Sequence, residues 1–146
     1  MCAVSETTRD NSITLEATVR NLPLIMAFLG ERMDVWDCPM RKRMAIELAV
    51  EEVYVNIANY AYAPGSGEAT MRVELETSDA ARVIVVTFID QGVPYDPLAR
   101  EDPDVTLPTG KRRIGGLGIF LVKQQMDDVT YEYRDGSNVL TLKKFL

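Results

Sequence analysis

"RRIGGLGIFLVKQQM", residues 112–126, runs a glycine cluster straight into an apolar, helix-forming stretch. Glycine is the default wherever a chain turns tightly, and a glycine-rich helix start is more often punctuation than a ligand site. GGLG at residues 115–118 therefore reads first as the turn that opens a helix, and second as a loop that holds a phosphate. The flanking chain decides between them.

Upstream, from Gln91 to Ile114, Pro94, Pro97, Pro103, Pro108, Gly92 and Gly110 sit among charges with no helical or strand period. A connection of about 20 such residues in a compact domain is usually functional or mobile, and residues 97–114 are expected to form a lid. Downstream, Val129, Tyr131 and Tyr133 alternate with polar residues. A "DGSN" turn and Val139 to Lys144 follow, which predicts a closing hairpin.

The N-terminal half supplies the remaining elements. Residues 1–11 read as a polar, frayed tail, and residues 12–146 as a single domain. Ile13, Leu15, Ala17 and Val19 alternate with Thr14, Glu16, Thr18 and Arg20, the pattern of a half-buried strand. "NLPLIMAFLGERM" predicts a first helix with Asn21 as its cap and Pro23 in its first turn. "WDCP" breaks it, and Pro39 opens a long second helix from about Met40 to Tyr60, stopped at "YAPGSG". Met71, Val73 and Leu75 form a strand with one wet face. Val83 to Ile89 is a nearly continuous apolar run, as expected of a central strand covered on both faces. The order of elements predicts an α+β two-layer sandwich: one mixed, mostly antiparallel sheet with helices on one face.

Composition narrows the function classes. The chain has 146 residues, 47% hydrophobic and 26% charged, with a net charge of −6. That suits one soluble domain and argues against nucleic acid or an anionic membrane as partner, since phosphate backbones are held by surplus Lys and Arg. The longest apolar run is strand-sized, and "MCAVSETTRDNS" has no apolar signal core, so a cytoplasmic protein is expected. Two cysteines are too few for a disulfide framework or a zinc site. With no histidine, Ser-His-Asp catalysis and His-ligated metals are excluded.

Two further clusters join GGLG. In "AVEEVYVNIANY", residues 49–60, Glu52 and Asn56 fall one helical turn apart on one face, while Ile46, Val50, Val53 and Ile57 form an apolar stripe opposite. A solvated polar face is the common meaning of such a pair. Yet the neighbours on that stripe, Ala45, Leu48 and Ala49, are small or apolar. A carboxylate and an amide oxygen one turn apart also suit a base beside a hard cation such as Mg²⁺. In "FIDQGVPYDP", Asp90 directly follows the apolar run and Gly92 permits close approach of backbone or ligand. Asp and Gly are ordinary turn residues. A carboxylate buried there needs a donor, and an exocyclic amino group of adenine is one.

The ordered set, E-x-x-x-N on a helix, D-x-G after a strand, a variable lid, then G-x-G before a helix, resembles the GHKL (Bergerat-type) ATP-binding fold. Over about Ile13 to Leu146, "ELAVEEVYVNIANYAY", "DQGVPYDP", "GGLGIFLVKQQMDDVTY" and "GSNVLTLKK" are similar to the anti-sigma factor serine/threonine kinases of the RsbW and SpoIIAB type. The resemblance implies ATP and Mg²⁺ as cofactors, Asn56 as the metal ligand and Glu52 as the catalytic general base. It places Asp90 and Gly92 at the adenine. Gly115, Gly116, Leu117 and Gly118 are placed around the phosphates, with Lys111 or Arg113 as the basic group of the lid. Asn138 falls where relatives often have a threonine that helps hold the adenine pocket. The implied partners are a STAS-domain anti-anti-sigma protein and, as a second candidate, a sigma factor; a homodimer is a candidate assembly. Some relatives carry an arginine in the first helix that meets the partner, whereas this chain has "NLPLIM". An ATP-sensing switch with little turnover is the alternative function. A two-component histidine kinase module is disfavoured, because the chain has no phosphoacceptor histidine.

Overall fold

The computed structural model describes residues 7–9, 11–99 and 116–146. Six strands form one sheet: β1 (Thr7–Arg9), β2 (Ser12–Glu16), β3 (Glu68–Thr77), β4 (Arg82–Asp90), β5 (Asp128–Arg134) and β6 (Ser137–Phe145). Their order is β1-β2-β3-β4-β6-β5, and every pairing among the described residues is antiparallel. The helices are α1 (Leu22–Val35), α2 (Met40–Tyr60) and α3 (Gly116–Gln125). This is the α+β arrangement expected from the order of elements.

One face of the sheet makes the core. Ile13, Met71, Phe88, Leu140 and Tyr131 lie in one cross-strand row, because each is registered against the next. Alternate side chains share a face, so Val73, Val86 and Leu142 continue the same apolar surface. Against it α1 places Ile25, Leu29 and Met33, one per turn, and α2 places Ile46, Val50 and Val53. Each side chain of this size, fully buried, contributes roughly 1.5–3 kcal/mol. The other alternate set on β4, Val83, Val85, Thr87 and Ile89, lies outside this helix-side cluster. The apolar run in β4 therefore reflects its central position in the sheet, not helices on both of its faces.

Three local expectations change. The strand expected from Ile13 to Arg20 ends at Glu16, and Val19–Asn21 form a short 3-10 turn. Residues 7–9, read as part of a frayed tail, pair with β2 as an edge strand. Asn21 stands at the N-cap position of α1, but its side chain makes no cap bond. Its Nδ2 instead donates to the Glu16 carbonyl at 2.8 Å, tying the end of β2 to the helix start. Pro23 lies in the first turn of α1, where a missing N–H costs nothing. Tyr54, wholly buried, donates its hydroxyl to the Thr18 carbonyl at 2.8 Å and pins α2 to the same corner.

The crossover after β4 is what positions the site. The chain leaves β4, returns through α3, forms the edge strand β5, and then inserts β6 between β4 and β5. Strand ends from β4 and β6 and the helices α2 and α3 thereby surround one end of the core.

Candidate active site

At that end lies a cavity of about 450 Å³. Phe88 and Leu140 form its apolar floor, Asn56 and Tyr60 of α2 one wall, and Asp90 and Asn138 its polar end. The volume is in the range of a small-molecule pocket with a few placed polar groups.

Glu52 and Asn56 reach the site because α2 is helical through both, which stacks residues four apart. Both are half-buried. Among the described residues, no hydrogen bond or ion pair engages either side chain. Gly118 of α3 packs directly against them. A Cβ on Gly118 would stand 3.0 Å from Glu52 Oε2 and 3.9 Å from Asn56 Nδ2. A side chain here would crowd the carboxylate by a few tenths of an ångström, which the glycine avoids.

Asp90 is buried at the last position of β4. Its Oδ1 accepts the Gly92 N–H at 2.8 Å and Asn138 Nδ2 at 3.0 Å. These bonds compensate a charge that would otherwise be costly to bury. Among the described residues no donor reaches Oδ2. Gly92 is pressed onto the end of α2, where a Cβ would lie 2.3 Å from the Ala61 carbonyl oxygen. Next to it the Val93 N–H donates to that carbonyl at 3.1 Å.

Two tyrosine hydroxyls brace the chain around the site although the sequence assigned them no role in it. Tyr62 accepts the Gln91 N–H at 2.7 Å and donates to the Glu68 carbonyl at 2.5 Å, lacing β3, β4 and the α2 end together. Tyr131 donates to Asn138 Oδ1 and accepts the Tyr95 N–H at 3.3 Å. Burial pushes the phenols of Tyr62 and Tyr131 above their ordinary value. Tyr131 had a signal, its inward place in an alternating strand. Tyr62 had none, since "YAPGSG" reads only as a helix stop.

Asn56, Asp90 and Asn138 thus line one cavity, with Gly92 beside Asp90 and with Glu52 and Gly118 beside Asn56. Gly116 begins α3, and Leu117 follows it. Lys111, Arg113 and Gly115 lie outside the described residues. So does the expected lid at 97–114, apart from a short 3-10 turn at Pro97–Ala99.

The residues present fit a magnesium nucleotide. No group of three His, Cys, Asp or Glu is close enough to hold a metal among the described residues. A cation here would depend on the Asn56 amide together with phosphate oxygens and water, as Mg²⁺ commonly does. No helix among the described residues is long and apolar enough to cross a membrane.

Comparison with known proteins identifies the family of the fold. The model of the histidine kinase-like ATPase domain matches residues 15–144. The serine/threonine-protein kinase BtrW of Bordetella bronchiseptica is 30% identical over 109 residues, 75% of this chain and 73% of that protein. The serine-protein kinase RsbW of Listeria monocytogenes is 30% identical over 102 residues, covering 67% of this chain and 63% of the relative. RsbW of Halalkalibacterium halodurans is 33% identical over 105 residues, 69% and 61% respectively. The match thus spans less than two thirds of either RsbW protein. With that domain matched from the end of β2 through β6 and all three helices, the chain belongs to the histidine kinase-like ATPase domain family and is RsbW-like within it.

Proposed function

We propose that the protein transfers the γ-phosphoryl group of ATP to a serine or threonine of a partner protein of the STAS type, in a partner-switching system. One observation carries the reading. Glu52 and Asn56, unengaged by any described side chain, face a glycine at the start of α3, one cavity away from the buried Asp90 carboxylate. A base, a cation ligand, an anion-favouring helix start and a base-reading acceptor follow one another along a nucleotide's length.

Phosphoryl transfer is mostly positioning and charge stabilisation. Asp90 holds the adenine end through its free oxygen. The N–H groups and dipole at the α3 start favour the phosphates. Mg²⁺ when bound would neutralise charge on the phosphates, with Asn56 as its protein ligand. Glu52 accepts the hydroxyl proton as the partner's oxygen bonds to the γ-phosphorus and the β–γ bridging bond breaks. Phosphoprotein and ADP leave.

The likeness to BtrW, a serine/threonine-protein kinase, and to RsbW, a serine-protein kinase, supports transfer to protein. Incubating the protein with labelled ATP and a STAS-domain protein from the same genome tests the proposal. Label on the partner is the expected result. A tight ATP-dependent complex that never transfers label would replace the kinase with a nucleotide-sensing switch.

A further inference from the structure

Asn138 stands opposite Asp90 in the β4–β6 register, and both are buried. Its amide is occupied on both sides. Nδ2 donates to Asp90 Oδ1 at 3.0 Å and faces the carbonyls of Val93 at 3.0 Å and Gly92 at 3.4 Å. Oδ1 accepts the Tyr95 N–H at 3.1 Å and the Tyr131 hydroxyl. A side-chain amide has two N–H donors and two lone pairs, so these partners leave nothing for a ligand. They also orient it. Exchanging O and N would set the amide oxygen against a carboxylate and two carbonyls.

The consequence falls on Asp90. Its Oδ1 is taken by Asn138 and the Gly92 N–H, while Oδ2 has no donor among the described residues. We propose that Asn138, oriented by Tyr131, is a positioning residue for base recognition. It occupies Asp90 Oδ1 so that Oδ2 alone is presented to the exocyclic amino group of the purine. Asn138 acts through Asp90 and has no hydrogen bond left to give the nucleotide, unlike the pocket-holding role implied by the resemblance. The inference rests on the cavity's taking an adenine nucleotide.

The test compares ATP with purine riboside triphosphate, which lacks only the 6-amino group, by calorimetry on the full chain. A hydrogen bond to a carboxylate gives wild type a preference for ATP of about tenfold or more. Asn138→Ala should bring the two affinities to within about threefold, and Tyr131→Phe should reduce the preference by a smaller factor. A role in stability alone would weaken both nucleotides alike and leave the ratio unchanged. In an Asp90→Ala background, Asn138→Ala should no longer alter the ratio. If thermal melting shows that Asn138→Ala does not fold, Tyr131→Phe, which keeps the ring, decides by the same ratio. Wild-type preference retained in the folded variant overturns the positioning role and leaves the proposed function standing. Wild type that binds neither nucleotide, or both equally, overturns adenine recognition by Asp90 and this inference with it.

Discussion

Gly118 on α3 and Glu52 on α2 are close neighbours, with Glu52 Oε2 3.0 Å from where a Cβ on Gly118 would sit. A side chain at Gly118 would press on the carboxylate at that distance. Gly118→Ala should raise helix propensity by about 1 kcal/mol, so thermal stability should hold or rise. Phosphoryl transfer should nevertheless fall by about 10–100-fold, because a small misplacement of a reacting group is costly. Unchanged turnover would show that the close approach has no catalytic consequence.

Glu52→Gln keeps size and hydrogen-bonding reach but cannot take a proton. Partner phosphorylation should drop by about 10²–10⁴-fold while ATP affinity changes little. Glu51 is exposed and turned about 100° away on the helix, so Glu51→Gln is the control. Transfer by Glu52→Gln at the wild-type rate would reassign the base.

Asn56→Ala should weaken nucleotide binding in the presence of Mg²⁺ and have little effect in EDTA. Titrating ATP under both conditions measures the difference. An equal loss in both would mean that Asn56 contacts the nucleotide without a cation.

Gly92→Ala brings a Cβ to 2.3 Å from the Ala61 carbonyl oxygen, a backbone atom that cannot rotate away. Overpacking of this kind typically costs about 1–3 kcal/mol. A lower urea midpoint should accompany weaker ATP binding, since Asp90 Oδ1 depends on the Gly92 N–H. Full stability in the variant would contradict this packing.

Burial pushes the Tyr54 phenol above its ordinary value of 10.0. Above that value the unfolded chain releases the proton while the folded chain retains it. Stability is therefore unaffected below 10.0 and falls as pH rises through the raised folded value. Tyr54→Phe should lose about 1 kcal/mol at neutral pH with its bond to Thr18, yet fall less steeply in alkali. Tyr62 and Tyr131 are also raised, so some alkaline loss remains. Urea midpoints across pH give both slopes, and identical slopes would remove Tyr54 from the account.

The periods of the chain were legible because helix and strand repeats are local properties of the backbone. The four-residue spacing of Glu52 and Asn56 places them on one face wherever the helix sits, and the two-residue alternation of Ile13, Leu15, Met71 and Val73 marks one buried face. The apolar run ending in Asp90 announced the carboxylate's position for the same reason. The cap assigned to Asn21 failed: its side chain turns back to donate Nδ2 to the Glu16 carbonyl, five residues earlier.

Pairings between distant segments were decided only by the tertiary structure. Asp90 and Asn138 lie 48 positions apart and meet because β6 inserts between β4 and β5. Sequence alternation marks β6's faces but selects neither its neighbour nor its register. Gly118 reaches Glu52 only through the packing of α3 on α2, and the glycine cluster had no local mark to separate a turn from a notch. The sequence by itself determined which residue types were available and which face of its own element each occupies. Long-range packing determined which of them share a cavity, because that depends on the register and crossing of elements that no local period encodes.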